Sequence, residues 1–217
     1  MITISQVVEE IINKTPFLEE AIAKGIVNHS SLARLMKSEI EEKLYKTVKT
    51  GAIIMALRRQ AKKKQLNPII KKIFSTPPDM IVRSNLVEFT FSNSDSLLTK
   101  HKKLLEKIEN QTKYFFTITQ GVFETGIIVS HELEQKIKDI FEEEKVVSQL
   151  TDLSSITIKL PEENVTTPGV YYFILKALAW QNINVVEVIS TYQEITLILA
   201  TSEIDTAFSI LKKSLVT

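Results

Sequence analysis

Polar residues flank the apolar segment VYYFILKALA (170–179), and their types suit the binding of a small anion. A helix that begins at this segment presents free backbone N–H groups and about half a positive charge, which favour a carboxylate. We expect Thr167 to cap the helix and Pro168 to take its first position. Gly169 would let a ligand approach the backbone closely. The alternative is that these residues only cap and turn the chain. The candidate ligand-binding residues are Asn164, Val165, Thr166, Thr167, Pro168, Gly169, Val170, Asn182, Ile183 and Asn184.

A second group of residues could bind phosphate. It lies in the segment 50–64, whose composition predicts a helix with a cationic end. Side chains of this kind contact DNA phosphates and base edges, but they also suit the negative end of a helix dipole, so both interpretations stay open. The candidate nucleic-acid contacts are Arg58, Arg59, Lys62, Lys63 and Lys64.

Other chemistry has little support in the sequence. There is no glycine-rich phosphate loop, no G-x-S-x-G and no H-E-x-x-H, and the absence of cysteine excludes thiolate catalysis. His29, His101 and His131 are far apart, and we expect them on solvated surfaces. "EEEK" at 142–145 is typical of the solvated end of a helix. We therefore expect a non-catalytic protein without a cofactor or a metal.

Composition and charge indicate two parts with different partners. The 217 residues are 44% hydrophobic and 24% charged, which is ordinary for a globular protein. Residues 1–78 hold 14 Lys and Arg against 7 Asp and Glu, whereas residues 79–217 hold 13 against 19. The absence of cysteine, of an apolar run of membrane-spanning length and of a signal-peptide pattern leads us to expect a cytoplasmic protein without membrane contact.

Residues 1–76 are predicted to form an all-helical domain. Val7, Val8, Ile11 and Ile12 follow helical spacing, and Ser30 or Ser31 and then Ser38 are candidate caps for two further helices. The sequence TPPD (76–79) predicts an extended linker after this domain, because adjacent prolines are incompatible with a helix interior.

The remaining chain is predicted to contain two copies of one strand–helix–strand–strand–helix unit. These are residues 80–147, the first module, and residues 153–217, the second module. At an offset of 71, ITQGVFETGIIVSHEL (118–133) aligns without gaps over ISTYQEITLILATSEI (189–204). The exposed sides of the helix at 170–179 also carry Tyr171 and Leu175, so we expect the modules to pack together and bury both.

Residues 153–215 resemble the ACT domain, in particular the version found in aspartate kinases. The resemblance rests on Pro-Gly-Val (168–170), on the Asn-Ile-Asn turn (182–184) and on the Ser/Thr-containing stretch before the last strand. It implies an α+β protein in which an all-helical domain precedes two tandem ferredoxin-like βαββα modules. It also implies an amino-acid ligand between a helix start in one module and the turn of a partner module, and hence a homodimer or a larger oligomer.

Residues 30–64 resemble a helix-turn-helix or winged-helix DNA reader, with SSLARLM (30–36) as the supporting helix. The combined arrangement is similar to the leucine-responsive regulators. The sequence thus predicts an amino-acid-responsive regulator, either of transcription or, alternatively, as a scaffold for a biosynthetic enzyme without DNA contact.

Overall fold

The computed structural model describes residues 2–15, 17–63, 74, 76–108 and 113–215. The chain forms two compact units, Met1–Ile69 and Ile70–Thr217, which are described separately. Phe74 belongs to the second unit, where its ring stacks on Phe173 at 5.9 Å between centroids. The domain boundaries placed at 76, 80, 147 and 153 remain predictions.

The first unit contains four helices among its described residues: α1 (Ile4–Lys14), α2 (Leu18–Ala23), α3 (His29–Leu44) and α4 (Thr50–Lys63). Apolar residues at helical spacing meet in one core, which buries Val7, Val8, Ile11, Ile12, Ile22, Leu32, Ala33, Met36, Ile40, Val48, Ile53, Ala56 and Leu57. Thr3 and Gln6 form a reciprocal capping box at the start of α1.

Helix α3 differs from the prediction. Its N-cap is Asn28, whose side chain accepts hydrogen bonds from the backbone N–H groups of Ser30 and Ser31 at 3.0 and 3.1 Å. The helix continues through Ser38 to Leu44, so the predicted second start at Ser38 is wrong. Because α3 is continuous to Leu44, only residues 45–49 connect it to α4.

The second unit alternates strands and helices in the predicted order. Its elements are β1 (Met80–Ser92), α5 (Leu97–Lys107), β2 (Phe116–Gln120), β3 (Glu124–Ser130), α6 (Glu134–Ile140), β4 (Val146–Lys159), α7 (Val170–Ala179), β5 (Glu187–Ser190), β6 (Glu194–Ala200) and α8 (Ile204–Ser214). The strands form one six-stranded antiparallel sheet in the order β2-β3-β1-β4-β6-β5. This confirms the α+β class.

The two long strands β1 and β4 belong to both modules. The second half of β1 pairs with β3, while its first half, Met80–Arg83, pairs only with the second half of β4. Reciprocally, the first half of β4 pairs with the second half of β1 in the first module, and the second half of β4 pairs with β6. Each module therefore gains a fourth strand from the other. Asn85 and Asp152, with φ of 61° and 56°, lie near the register shift where the two halves meet.

The helices of both modules cover the same face of the sheet. Leu86 and Leu153 are directly paired and so point to one face, the helix-free face. Their helix-side neighbours form two separate cores, one between α5, α6 and the first module's strands and one between α7, α8 and the second module's strands. Leu86, Ile128, Leu153 and Ile198 form a shared cluster on the helix-free face.

The expected burial of Tyr171 is wrong for this chain. Tyr171 is 39% exposed, because the modules join edge to edge through β1 and β4 rather than by stacking their helices. Leu175 is partly buried, and it packs against the core of its own module.

Candidate functional site

The start of α7 is exposed and is shaped by a left-handed residue. Gly169 has φ 90° and ψ 3° and is the N-cap, so the helix begins at Val170. The predicted roles of Thr167 as the cap and Pro168 as the first helical residue are therefore wrong. Thr167 instead ends a short 3₁₀ helix, Glu162–Thr166, and its hydroxyl donates to the carbonyl of Glu163 at 2.7 Å. A residue with a Cβ is strained at this φ, which explains the glycine.

The first backbone N–H groups of α7 precede its helical hydrogen bonds. Phe173 makes the first helical hydrogen bond, with its N–H donating to the carbonyl of Gly169 at 2.9 Å. The N–H groups of Val170 and Tyr171 precede that ladder, as in the first turn of any helix. Pro168 and Gly169 are exposed, whereas Val170 is buried in the core.

Asn164 has a structural role in this arrangement. It is 8% exposed, and its Nδ2 donates to the carbonyls of Pro161 at 3.0 Å and Tyr192 at 2.8 Å. These bonds connect the segment before α7 to the β5–β6 turn. Both hydrogens of the amide are thus directed at protein groups, while Val165 and Thr166 remain exposed.

The other predicted half of the site lies at the far end of α7. Asn182 is left-handed, with φ 58°. Its N–H donates to the carbonyl of Ala179 at 3.1 Å, and the N–H of Ile183 donates to the carbonyl of Leu178 at 3.2 Å. These two bonds form a Schellman motif, which ends the helix. Ile183 is buried in the core and Asn184 is exposed. Because a ten-residue helix is ~15 Å long, one small ligand cannot contact both ends within one module.

The basic residues of α4 share an exposed side of the first unit. Arg58, Arg59 and Lys62 are exposed, whereas Ala56, Leu57, and Gln60 between them are buried. The side chain of Lys63 and all of Lys64 lie outside the described residues.

The first module contains a buried carboxylate that its sequence did not indicate. Glu144, expected on a solvated helix end, has a side chain that is only 4% exposed. Its Oε2 accepts a hydrogen bond from Ser94 Oγ at 2.7 Å, and its Oε1 accepts from Ser96 Oγ at 2.5 Å and lies 3.0 Å from Lys100 Nζ. We call Ser94, Ser96 and Lys100 the module 1 clamp. The clamp lies at the start of α5, and 48 and 50 residues separate the serines from Glu144.

The electrostatics of the clamp favour an ionised carboxylate. Burial opposes ionisation, but the hydrogen bonds from the three clamp residues and the charge of Lys100 outweigh it and lower the pKa of Glu144 to about 2. His101 beside it is also buried, at 7% exposure, with its ring 5.7 Å from that of Phe141. The prediction that His101 is solvated is wrong. Burial lowers its pKa, and the charge of Glu144 partly offsets that effect.

A cleft of about 710 Å³ lies on the helix-free face between the modules. It is lined by Glu88, Thr90, Thr119, Gly121, Val122, Phe123, Glu124, Gly126, Val186 and Glu187. Burial raises the pKa of Glu88, and burial together with the charge of Glu88 raises that of Glu187. The cleft therefore disfavours the simultaneous ionisation of Glu88 and Glu187.

Two further properties bear on function. Among the described residues, no group of three or more His, Cys, Asp or Glu side chains is arranged to hold a metal ion. No helix in the described part of the chain is long and apolar enough to cross a membrane.

Comparison with known proteins identifies the fold but no close relative in sequence. No family model and no curated protein sequence matches the chain. Among solved structures, the regulatory subunit of aspartate kinase from Thermus thermophilus is similar, with a TM-score of 0.51 and 13% identity over 64% of this chain and 99% of that one. Aspartate kinase from Clostridium acetobutylicum gives a TM-score of 0.53 and 12% identity over 63% of this chain. Aspartokinase III from E. coli gives a TM-score of 0.51 and 10% identity over 65% of this chain.

The match spans 34% of the Clostridium enzyme's chain and 35% of the E. coli one. The matched part, 63–65% of this chain, has the fold of aspartate kinase regulatory domains, the ACT-type arrangement.

Proposed function

We propose that this protein is a non-catalytic, amino-acid-responsive regulatory protein. One observation supports the proposal: a solved structure that this chain matches over 99% of that structure's length is a regulatory subunit. The Clostridium relative is described as an allosteric enzyme, and the E. coli relative was solved with aspartate and ADP. Within this proposal the protein acts in the cytoplasm and needs no cofactor.

The amino acid binds at the start of α7 in this proposal. Its carboxylate meets the N–H groups near Gly169 and Val170, where the helix contributes partial positive charge. The left-handed Gly169 leaves this approach open, since it carries no side chain. Thr166 and Thr167 border the ligand, and Asn164 holds the loop rather than the ligand.

Asn184 contributes from a second copy of the chain. The two halves of the site lie ~15 Å apart along α7, so they meet at one ligand only when two modules face each other. Tyr172 on this helix and Trp180 at its C-cap, 45% and 59% exposed, supply apolar surface. We therefore propose a homodimer whose interface includes α7.

A thermal-shift screen with the twenty amino acids tests the proposal, followed by calorimetry of the best one. Gly169→Val and Asn184→Ala are expected to reduce its affinity at least tenfold, because the first crowds the helix start and the second removes polar contacts. Gln181→Ala, an exposed neighbour of Asn182, serves as the control and should bind normally. Absence of binding to the wild-type protein at millimolar amino acid contradicts the proposal.

A second candidate function, transcriptional regulation, is favoured by one observation. Arg58, Arg59 and Lys62 are jointly exposed on α4, and the five-residue connection 45–49 is close to the three- or four-residue turn of helix-turn-helix proteins. Gel shifts at two salt concentrations test it. Replacing both arginines with alanine should reduce the slope of log affinity against log salt by about 1.8, whereas Lys14→Ala on α1 should leave it unchanged. If no duplex is retarded, a scaffolding role for a biosynthetic enzyme replaces DNA binding.

A further inference from the structure

His101 occupies an apolar position in the first module. Helix α5 buries Leu97, His101 and Leu104, which follow one another at helical spacing along its core-facing side. The imidazole is 7% exposed, and its ring centroid lies 5.7 Å from that of Phe141 at the end of α6. Its Nε2 atom is buried and has no hydrogen-bond partner in the described part of the chain. A neutral imidazole is compatible with this environment, because it adds no charge to the core.

A protonated imidazole is not compatible with it. Protonation gives the ring a positive charge and makes both of its nitrogens donors, and a buried charge without a partner is costly. The charge of Glu144 favours protonation, but burial has the larger effect, so the pKa of His101 is lowered. Both oxygens of Glu144 already accept hydrogen bonds from the module 1 clamp. The carboxylate is therefore not available as a direct partner for the imidazolium.

The other charges on the surrounding elements do not compensate His101. Lys100, the preceding residue on α5, is itself positive and pairs with Glu144. Glu134 on α6 pairs with Lys138 at 2.7 Å. The remaining charged residues of α5, of α6 and of the turn after α6 are exposed, and Glu88 on β1 lines the cleft on the helix-free face. A charged ring at position 101 would thus have to reach water.

We propose that His101 is an acid-sensitive switch, whose protonation opens the first module. Helix α5 moves away from the sheet so that the ring reaches water, and the core contacts of Leu97 and Leu104 are lost with it. The second module stays closed, because α7 and α8 pack on a separate core and local opening can be confined to one such unit. The switch concerns the first module and stands apart from amino-acid binding at α7.

The pH range of the switch lies below the ordinary pKa of histidine. Because burial lowers the pKa of His101 from 6.5, its stabilising contribution is fully present above pH 6.5 and is lost as the pH falls through the folded-state pKa. Glu88 and Glu187 act in the opposite direction, since their raised pKa values favour the folded state as the pH falls. Variants of His101 are needed to separate these effects.

Hydrogen exchange of the full chain at pH 7 and pH 5, read out by mass spectrometry, measures the opening. Protection of the amides in Leu97–Lys107, corrected for the intrinsic exchange rate, should fall roughly tenfold, because one proton changes an equilibrium by up to about tenfold per pH unit. Peptides from Ile204–Ser214 in the second module should keep their protection. His101→Leu, which preserves an apolar contact and cannot be protonated, should abolish the fall in α5.

His131→Gln is the matched control. His131 is the other histidine of residues 70–217, and its side chain is 57% exposed, so this variant should show the same fall as the wild type. An equal fall in His101→Leu and the wild type would overturn the inference. Wild-type α5 amides that stay protected at pH 5, or a loss spread equally over α5 and α8, would also overturn it. If His101→Leu does not fold, His101→Gln, uncharged at both pH values, must lack the response for the inference to stand.

Discussion

Thr119 in the first module donates a hydrogen bond to Glu187 in the second, across the helix-free face of the sheet. Gly126 borders the same carboxylate, and a Cβ built on it would lie 3.7 Å from Glu187 Oε2. The edge strand β5 therefore meets the β2–β3 hairpin through polar side chains. Burial and the charge of Glu88 make this position unfavourable for an ionised Glu187 and raise its pKa.

Replacing Glu187 with glutamine should stabilise the protein at neutral pH. A raised folded-state pKa means that the folded protein binds the proton more tightly, so stability is lost as pH rises from the unfolded to the folded pKa. Glutamine can still accept the bond from Thr119 and carries no charge. The Tm of Glu187→Gln minus that of the wild type should be positive at pH 8 and should decrease toward zero as the pH falls to 4.5. A difference that is independent of pH, as expected for the exposed Glu194→Gln, would contradict this account.

Asn164 and Asn184, both candidate ligand residues, should respond differently to alanine. Asn164→Ala leaves the carbonyls of Pro161 and Tyr192 without their donor and should cost about 1–3 kcal/mol of unfolding free energy. Asn184→Ala, at an exposed position, should change stability by no more than about 0.5 kcal/mol. Urea denaturation of both variants gives the comparison, and equal costs would show that the buried amide has no supporting role.

The two ends of α7 should tolerate opposite substitutions. Gly169→Ala places a Cβ on a residue with φ 90° and should cost about 1–2 kcal/mol. Asn182→Gly, at φ 58°, removes a side chain from a left-handed residue and should be neutral or slightly stabilising. Thermal unfolding of both variants checks the pair, and an unchanged Tm for Gly169→Ala would contradict the left-handed cap.

Removing the cation of the module 1 clamp should be strongly destabilising. Lys100→Met leaves the buried Glu144 without its charged partner and should cost about 3–5 kcal/mol at pH 7. Because the pKa of Glu144 is lowered to about 2, its stabilising contribution is present above the unfolded value of 4.5 and is lost as pH falls toward 2. The difference between wild type and Lys100→Met in urea should therefore be smaller at pH 3 than at pH 7. Lys103→Met, an exposed change on the same helix, should be close to wild type at both values.

The elements of the fold could be predicted because local patterns determine them. Strand alternation at Val87, Phe89 and Phe91 and the repeat at an offset of 71 indicate where each element forms. The sharing of β1 and β4 could not be predicted. It depends on pairing between segments such as Met80–Arg83 and Ser155–Ile158, which are distant in sequence, and their composition does not specify a partner.

The site was predictable in position and less so in detail. Pro168-Gly169 did indicate an exposed helix start, but the residue type of Asn164 could not show that its amide turns toward the β5–β6 loop. Glu144 lies in a run of acidic residues that resembles any solvated helix end. Only its contacts with two distant serines and a lysine distinguish it from Glu142 and Glu143.

The reciprocal exchange of β1 and β4 has a consequence for synthesis on the ribosome. Met80–Arg83 leaves the ribosome long before its partner Ser155–Ile158. At 5–20 residues per second, about 75 intervening residues correspond to roughly 4–15 s during which this strand has no partner in its own chain. In that interval it is a free edge that can pair with the Ser155–Ile158 segment of a more advanced chain on the same polysome. Two such chains would complete each other's modules, so the fold contains a route to a strand-exchanged dimer that forms during translation.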